Sequence, residues 1–199
     1  MSIPFFSIDF KKIDWLAYLK GTIGINFEKS IDALISNRFP NKKFLKFSSS
    51  RMGFYFFLEQ NFKSGDEIIS PSMSFPLYIK MAVQLGLKPV LVDVENRHLT
   101  INPELIVQSI TGKTKAVVIT HLFGHPGYLT EIANICNEYG IELVEDCAQS
   151  LDSFYENIET GNFGSTAFFS TGAVKIPTSL GGGFIITNNS NLVEKINSR

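Results

Sequence analysis

The sequence has few of the residues that mark several common classes of protein. Only two of its 199 residues are cysteine, Cys136 and Cys147, and they neither form a metal-ligand spacing nor suggest a disulfide framework. The formal net charge of -1 gives no electrostatic argument for binding nucleic acid or an anionic membrane. No apolar run approaches the roughly 18–20 residues of a membrane span, and the N-terminus lacks the basic start of a secretory signal. We therefore expect a cytoplasmic protein that binds neither nucleic acid nor membrane.

The sequence is rich instead in short apolar segments that have the length of β-strands. Seven of them recur, over residues 44–47, 67–70, 89–94, 116–120, 142–145, 165–170 and 183–187. Helical patterns separate most of the early ones, over residues 52–62, 77–85, from 102 onward and 129–139. Strands that alternate with helices predict an α/β protein with a three-layer, mostly parallel seven-stranded sheet. The last two runs have no obvious helix between them, which would let one of them run antiparallel.

Two regions are expected along the chain. Residues 1–43 contain helical patterns over 13–19 and 27–35 and are predicted to form an N-terminal helical arm. Residues 44–199 are predicted to form the α/β domain. The hydrophobic fraction of 44% and the charged fraction of 19% are ordinary for a globular protein, and the length allows a sizeable core.

An acid and a lysine stand in the order that one kind of cofactor chemistry requires. Asp146 directly follows the apolar run that ends at Glu145, and Lys175 comes 29 positions later, in the loop after Ser170. Ligands of parallel sheets collect at the carboxyl ends of the strands. Enzymes that use pyridoxal phosphate (PLP) need a lysine amine to form a Schiff base, an acid to partner the pyridinium nitrogen, and donors to hold the phosphate. The ordered set therefore predicts a PLP site.

Each member of this set also has an ordinary structural explanation. An Asp at a strand end commonly caps the next segment, a lone Lys is commonly solvated, and Ser170 could simply end its strand. Gln149 could reach the phenolic oxygen of the cofactor or only decorate the loop. The run Gly181–Gly183 would let backbone pass close to a ligand, but it is equally a plain turn before a strand.

Three further segments carry residues that could face a ligand. Ser48–Ser50 precede an apolar helix and form an N-cap signal, and a helix N-terminus can also bind phosphate through its free N–H groups and dipole. Phe75 could stack on a planar cofactor or pack in the core. His121 and His125 suggest a metal or acid–base chemistry, but no third ligand accompanies them in the sequence. No metal site is expected, and loop structure or substrate-side contacts are favoured for both histidines.

A series of segments, in order along the chain, carries a resemblance to a known family. The segments are Ser49–Phe54, Gly65–Phe75, Leu85–Val94, Glu145–Ser150, Phe169–Lys175 and Gly182–Asn189. They resemble, in order, the first phosphate loop, three motifs that follow it, the lysine motif and the glycine-containing segment after the lysine in the DegT/DnrJ/StrS sugar aminotransferases, which are fold-type I PLP enzymes. Two departures stand out. Ser50 replaces the usual glycine of the phosphate loop, and the segment 171–174 lacks the aromatic and polar residues common before the lysine.

The resemblance implies a role for each candidate residue. Lys175 would be the Schiff-base lysine, Asp146 the pyridinium partner, and Gln149 a contact to the ring oxygen. Ser50, Arg51 and Ser170 would hold the phosphate. Phe75 would lie against the ring of the cofactor.

The same resemblance implies a reaction. Family members replace the keto oxygen of a nucleotide-linked sugar with an amine, usually taken from glutamate, so a nucleotide sugar and an amino donor are the expected substrates. A branch that dehydrates sugars has histidine at the lysine position, and Lys175 argues against that branch. Family members are considerably longer than this chain. The small C-terminal domain is therefore expected to be absent, and the chain would be a truncated or split form that acts as a homodimer or with the missing C-terminal part.

Two rival interpretations stay open at this point. Since the small domain is missing from it, the chain could be a non-catalytic remnant or an interaction half that needs a second polypeptide. The second rival interpretation is a generic α/β binding protein without PLP, but it does not explain the ordered set around Asp146 and Lys175.

Overall fold

The strands account for most of the architecture in this computed structural model, which describes residues 28–172, 175 and 181–198. In chain order they are β1 (Lys43–Phe47), β2 (Glu67–Pro71), β3 (Lys88–Val92), β4 (Thr114–Thr120), β5 (Glu142–Asp146), β6 (Phe154–Tyr155), β7 (Ile158–Glu159), β8 (Thr166–Ser170) and β9 (Gly183–Thr187). Seven of them form one sheet in the order β1-β9-β8-β5-β4-β2-β3, while β6 and β7 pair only with each other.

The seven-stranded sheet is parallel except for one strand. Neighbours from β8 through β5, β4 and β2 to β3 are parallel. Strand β9 is antiparallel to both of its neighbours, with Thr187 opposite Lys43 of β1 and opposite Thr166 of β8. The predicted mostly parallel seven-stranded sheet is confirmed, and the antiparallel strand is the last of the seven.

Helices lie between most of these strands. The described ones are α1 (Glu28–Arg38), α2 (Ser50–Asn61), α3 (Pro76–Gln84), α4 (Pro103–Ser109), α5 (Leu129–Tyr139) and α6 (Ser190–Asn197). Their ends have local causes. The Ser49 and Asn102 side chains cap the first turns of α2 and α4, and Gly140 ends α5 in a left-handed conformation with φ of 65°.

Two apolar clusters cover the two faces of the sheet. Successive residues of a strand point to opposite faces, so Ile68 of β2 packs with α2, α3 and α6, whereas Ile69 packs with α4 and α5. The same alternation separates Val118 from Val117 in β4. The sheet is therefore the middle layer of three, as predicted.

The sequence-based prediction contains neither helix α6 nor the hairpin of β6 and β7, nor the short 3-10 helix Leu122–Gly124. Helix α6 has a mixed polar and apolar sequence that begins at the Asn189 cap, where its side chain accepts a hydrogen bond from the Leu192 N–H. The hairpin of β6 and β7 has two residues in each strand, which is too short to show a period of two.

The chain divides after Pro40 into two units. In the first unit the structure describes α1, which lies within the segment expected to be a helical arm. The helical pattern over residues 13–19 lies outside the described residues. None of the described helices is long and apolar enough to cross a membrane.

Candidate active site

A cavity of about 560 Å³ lies at the carboxyl ends of the parallel strands, where β4, β5 and β8 end at Thr120, Asp146 and Ser170. This is the edge at which parallel sheets bind ligands. All of the residues that the sequence predicts for the site line the cavity, namely Ser50, Arg51, Phe75, Asp146, Gln149, Ser170 and Lys175. The structure thus brings the predicted set together, and the role of each member stays a prediction.

Asp146 lies in the buried floor of this cavity. Its Oδ1 accepts hydrogen bonds from the Ala148 N–H at 3.1 Å and from the Tyr78 hydroxyl at 3.5 Å. Burial raises the pKa of Asp146 to about 6, although Ala148, His121, Lys175 and Tyr78 all favour its ionised form. The bond from Ala148 is the local cap that the sequence allowed. Among the described residues these are the two donors to its side chain, which leaves capacity for a donor on a ligand.

Tyr78 is a site residue that sequence reasoning missed. It lies in the first turn of α3, three residues after Phe75, and its side chain is buried. Its hydroxyl lies 3.3 Å from the Ser50 Oγ and 3.5 Å from the Asp146 Oδ1. A tyrosine in a helix predicted to be buried needs a polar partner for its hydroxyl, and that requirement was the available signal. The partners themselves come from distant segments and are not readable from the local pattern.

Glu145, the neighbour of Asp146 in β5, is fully buried in a different environment. Its carboxylate accepts hydrogen bonds from the N–H groups of Gly161, Phe163 and Gly164 at 2.6–2.9 Å and from the His121 Nε2 at 3.1 Å. Burial alone would raise the pKa of Glu145, but these donors hold it below its ordinary value. Glu145 is therefore an ionised group inside the protein that is fully paired by N–H donors.

The two histidines of the 121–125 loop have different surroundings. His121 is buried and lines the cavity, so the predicted alternatives of loop structure and substrate-side contact both stay predictions. Its Nε2 bonds to Glu145, and its Nδ1 is buried with no hydrogen-bond partner among the described residues. His125 does not line the cavity and instead places its Nε2 2.8 Å from the Nδ1 of His98.

His121 also has two neighbours with metal-ligating atoms. His121, Glu145 and Cys147 have such atoms within 4.8 Å of one another. Both Glu145 oxygens are already engaged by four N–H donors, which matches the lone pairs of a carboxylate. Burial also raises the pKa of the Cys147 thiol, which disfavours the thiolate that a metal needs. The group therefore fits a hydrogen-bonded core better than a metal centre.

The N-terminus of α2 forms one end of the cavity. Ser49 accepts a hydrogen bond from the Met52 N–H at 3.3 Å, as the predicted N-cap requires, and Ser48 to Arg51 all line the cavity. The first turn of a helix presents backbone N–H groups and the positive end of the dipole. The hydroxyl of Ser170 and the guanidinium of Arg51 line the same cavity. Together these groups favour an anion.

Gln149 is fixed by the loop that follows β4. Its Oε1 accepts a hydrogen bond from the Phe123 N–H at 2.9 Å, where Phe123 has a left-handed backbone with φ of 54°. This bond uses the acceptor of the amide and leaves its Nε2 hydrogens for an acceptor in the cavity. The bond gives Gln149 a structural contact in the loop, and its contact to the ring oxygen stays a prediction.

The glycine run before β9 has a structural reason at one position. A Cβ at Gly183 would lie 2.5 Å from the Ser50 nitrogen and 2.6 Å from the Phe169 oxygen, so only glycine fits between these backbones. Gly181 and Gly182 line the cavity. The run thus packs α2 closely against the sheet and also borders the site.

The remaining predicted residues that line the cavity are Phe75 and Lys175. Phe75 is 44% exposed, and its ring packs edge-on against Tyr78 with centroids 5.7 Å apart. It is therefore not a core residue, which was the alternative to a stacking role. Lys175 is half-buried, and its backbone N–H donates to the Gly172 oxygen at 2.9 Å.

The fold is similar to that of solved aminotransferases and of a related dehydratase. PseC of Helicobacter pylori, an aminotransferase of pseudoaminic acid biosynthesis, matches 97% of this chain with a TM-score of 0.89 at 23% identity, and 54% of its own length is covered. TlmJ, an aminotransferase from Streptoalloteichus hindustanus, matches 98% with a TM-score of 0.89 at 25% identity, and 56% of its length is covered. A GDP-4-keto-6-deoxymannose-3-dehydratase with a trapped PLP–glutamate geminal diamine matches 96% with a TM-score of 0.88 at 25% identity, and 53% of its length is covered.

The family model of the DegT/DnrJ/EryC1/StrS aminotransferases matches residues 19–198. The chain belongs to this family. The match confirms the resemblance drawn from the motifs, and the similar structures confirm the α/β fold. The chain spans about half the length of the solved structures it matches.

Proposed function

We propose that residues 44–199 form the PLP-binding large domain of a sugar aminotransferase. Its site would transfer an amino group from glutamate to the keto carbon of a nucleotide-linked sugar. Family membership supports the reaction class, and the similar dehydratase, whose structure holds PLP with glutamate, supports the cofactor and the amino donor. The observation that carries the proposal is that Lys175 and Asp146, a nucleophile and a buried acid, line one cavity together with an anion-binding end.

The cavity fits PLP in three ways. The α2 N-terminus with Ser50, Arg51 and Ser170 offers donors and positive charge to a phosphate. Asp146 has few donors of its own and a pKa of about 6, so above that pH it is an ionised acceptor for a pyridine N–H. The half-exposed ring of Phe75 offers an apolar surface to a planar group.

Each residue would then have a defined task. When bound, PLP supplies an electron sink for the carbon that gains or loses the amino group. Lys175 would hold the cofactor covalently through its Nζ and later carry a proton at that atom. Asp146 would keep the pyridine nitrogen protonated, and the Nε2 of Gln149 would donate to the ring oxygen.

A lysine at position 175 favours amino transfer over dehydration. An amine can form and release a covalent link to the cofactor, whereas the dehydrating branch has histidine at this position by resemblance. We propose that the protein acts in the cytoplasm as a homodimer or with a further polypeptide.

A second candidate function follows from the share of the relatives that is covered. Because the chain spans about half of the matched structures, it is also proposed as an interaction half whose site is completed by a second polypeptide. Amino transfer from glutamate measured with the 199-residue chain alone separates the two proposals. Turnover by the isolated chain would exclude a required second polypeptide, and turnover only on adding one would favour it.

Cofactor binding by Lys175 is testable directly. The purified protein is titrated with PLP, reduced with borohydride and digested, and the peptide that contains Lys175 is weighed. We expect an absorbance change on binding and a mass increase on that peptide. Lys175→Ala should lose both, while Lys80→Ala, which removes an exposed lysine from α3, should keep both. An unchanged spectrum for Lys175→Ala would assign the link to another lysine.

A further inference from the structure

The Tyr78 hydroxyl lies between two groups that the proposed function assigns to opposite ends of the cofactor. It is 3.3 Å from the Ser50 Oγ, on the phosphate side, and 3.5 Å from the Asp146 Oδ1, on the pyridine side. Neither Ser50 nor Asp146 is near Tyr78 in sequence, and both side chains are buried. We propose that Tyr78 is a positioning residue that links Ser50 and Asp146 and holds Asp146 as an ionised acceptor for the pyridine N–H.

Packing fixes the ring that carries this hydroxyl. Tyr78 is 4% exposed, and its ring lies against Phe54 with centroids 4.3 Å apart and edge-on to Phe75 at 5.7 Å. Phe54 belongs to the core cluster of α2 and α3. The ring therefore cannot turn its hydroxyl toward solvent without disrupting that cluster.

The hydrogen-bond chemistry sets the direction of the chain. A carboxylate can only accept, so the Tyr78 O–H donates to Asp146 and the Ser50 O–H is free to donate to the Tyr78 oxygen. Burial and the nearby Asp146 charge raise the pKa of Tyr78, so the phenol keeps its proton and remains a donor. The acceptor is ionised, which favours the bond, but the distance of 3.5 Å makes it a long one, so a modest effect on Asp146 is expected.

The other groups around Asp146 also favour its ionised form. They are the Ala148 N–H on its own loop, His121 after β4 and Lys175 after β8, while Arg51 of α2 acts on Tyr78. Lys175 would be engaged by the cofactor under the proposed function, and the Ala148 donor is a backbone N–H. Tyr78 is thus the neutral side chain in this set that donates directly to Asp146.

The inference rests on the proposed function, and its test separates the two. PLP dissociation constants are measured from pH 5.5 to 8.5 for the wild type, Tyr78→Phe and Tyr55→Phe. The last variant removes a hydroxyl from α2 that does not line the cavity. Because both hydrogen bonds are long, we expect Tyr78→Phe to weaken binding about threefold to tenfold. We also expect the midpoint of the pH dependence of PLP binding to move to higher pH in Tyr78→Phe. Tyr55→Phe should have the affinity and the midpoint of the wild type.

A second measurement does not use PLP, so it tests the role of Tyr78 even if the proposed function is wrong. The carboxyl carbon of Asp146 is titrated by NMR in the wild type and in Tyr78→Phe. Loss of the donor should raise the midpoint by about half a unit to one unit, the shift that corresponds to a threefold to tenfold change. If the wild type binds no PLP, the proposed function fails, while this titration still decides the hydrogen bond.

The result that overturns the inference is a folded Tyr78→Phe protein whose Asp146 midpoint matches that of the wild type. If Tyr78→Phe does not fold, 3-fluorotyrosine at position 78 replaces it, because fluorine makes the hydroxyl a stronger donor while keeping the ring. The Asp146 midpoint should then move downward. An unchanged midpoint with the fluorinated ring would likewise overturn the inference, since a purely structural role predicts no such shift.

Discussion

Strand β5 ends in two carboxylates that lie in opposite surroundings. Glu145 accepts hydrogen bonds from three backbone N–H groups and from His121, and its pKa is lowered. From the part of the chain that the structure describes, Asp146 accepts one backbone bond and one long bond from Tyr78, and its pKa is raised to about 6. Both side chains are buried, so the number of donors, rather than burial, separates them.

The difference indicates what each carboxylate can do. A buried charge whose lone pairs are all used stabilises the loops that supply its donors, and here it joins β5 to the segment of residues 161–164. A buried charge with unused lone pairs is costly alone and becomes favourable when a ligand brings a donor. Glu145 therefore has a structural role, whereas Asp146 is the carboxylate proposed to contact the cofactor.

The largest expected effect comes from neutralising Glu145. Glu145→Gln replaces an acceptor oxygen with an NH₂ group that faces N–H donors, and it leaves His121 without its partner. Breaking one member of a buried charged network costs about 3–5 kcal/mol, a large part of the ~5–15 kcal/mol that stabilises a typical domain. Urea unfolding at pH 7 measures the loss.

Glu142→Gln is the matched control on the same strand. Burial raises the pKa of Glu142, and its donors are the hydroxyls of Ser165 and Thr166, which can turn to suit an amide. We expect a loss below about 1 kcal/mol. If the two variants lost the same free energy of unfolding, the N–H donors of Glu145 would not explain its contribution to stability.

The next effect has the opposite sign. Asp146→Asn should stabilise the protein at pH 8, because the raised pKa means that folding disfavours the ionised carboxyl. The unfolded Asp ionises near pH 4 and the folded one near pH 6, so wild-type stability from this group falls as pH rises between those values. A difference of about two units corresponds to roughly 3 kcal/mol as an upper bound. The gain should vanish below pH 4.

The same variant tests the proposed function. Asp146→Asn should retain the covalent link to Lys175 but lose amino transfer, since a neutral pyridine is a poor electron sink. Thermal unfolding from pH 4 to 8 and turnover in the presence of glutamate, with any second polypeptide that the wild type requires, measure the two effects. A variant that is less stable than the wild type at pH 8 would contradict the assignment of Asp146 as an under-satisfied carboxylate.

The smallest effect on stability is expected from Gln149, which lines the same cavity as Asp146. Gln149→Ala removes one exposed hydrogen bond to the Phe123 N–H, which water can replace, so stability should change by less than about 0.5 kcal/mol. The lost donor to the ring oxygen should weaken PLP binding about fivefold. Equilibrium titration with PLP measures this change. Unaltered affinity would leave Gln149 with only its loop contact.

Much of the fold was predictable because its strands are buried. Runs such as 116–120 and 183–187 are continuously apolar, as strands covered on both faces must be. Helix α6 was missed because it has only eight residues, which is shorter than the window over which a helical period is read, although Leu192 belongs to the same core cluster as residues of α2 and β9.

The candidate site divides in the same way. Asp146, Lys175 and the serines follow from ordered motifs, so the sequence could indicate them. The Glu145–His121 pair and the Tyr78 hydrogen bonds depend on which strands are neighbours, because β4 lies next to β5 and α3 packs over both. Predicting such contacts requires the order of the strands in the sheet, which the spacing of residues within one segment does not give.

The position of β9 also has a consequence for how the chain folds. Among the strands that the structure describes, β1 pairs with β9 alone, and Lys43 lies opposite Thr187, which is separated from it by almost the whole length of the α/β unit. Contacts of such long sequence separation slow folding, because the loop entropy is lost before the contact forms. During synthesis on the ribosome, β1 therefore emerges well before β9, the partner with which it pairs among the described strands.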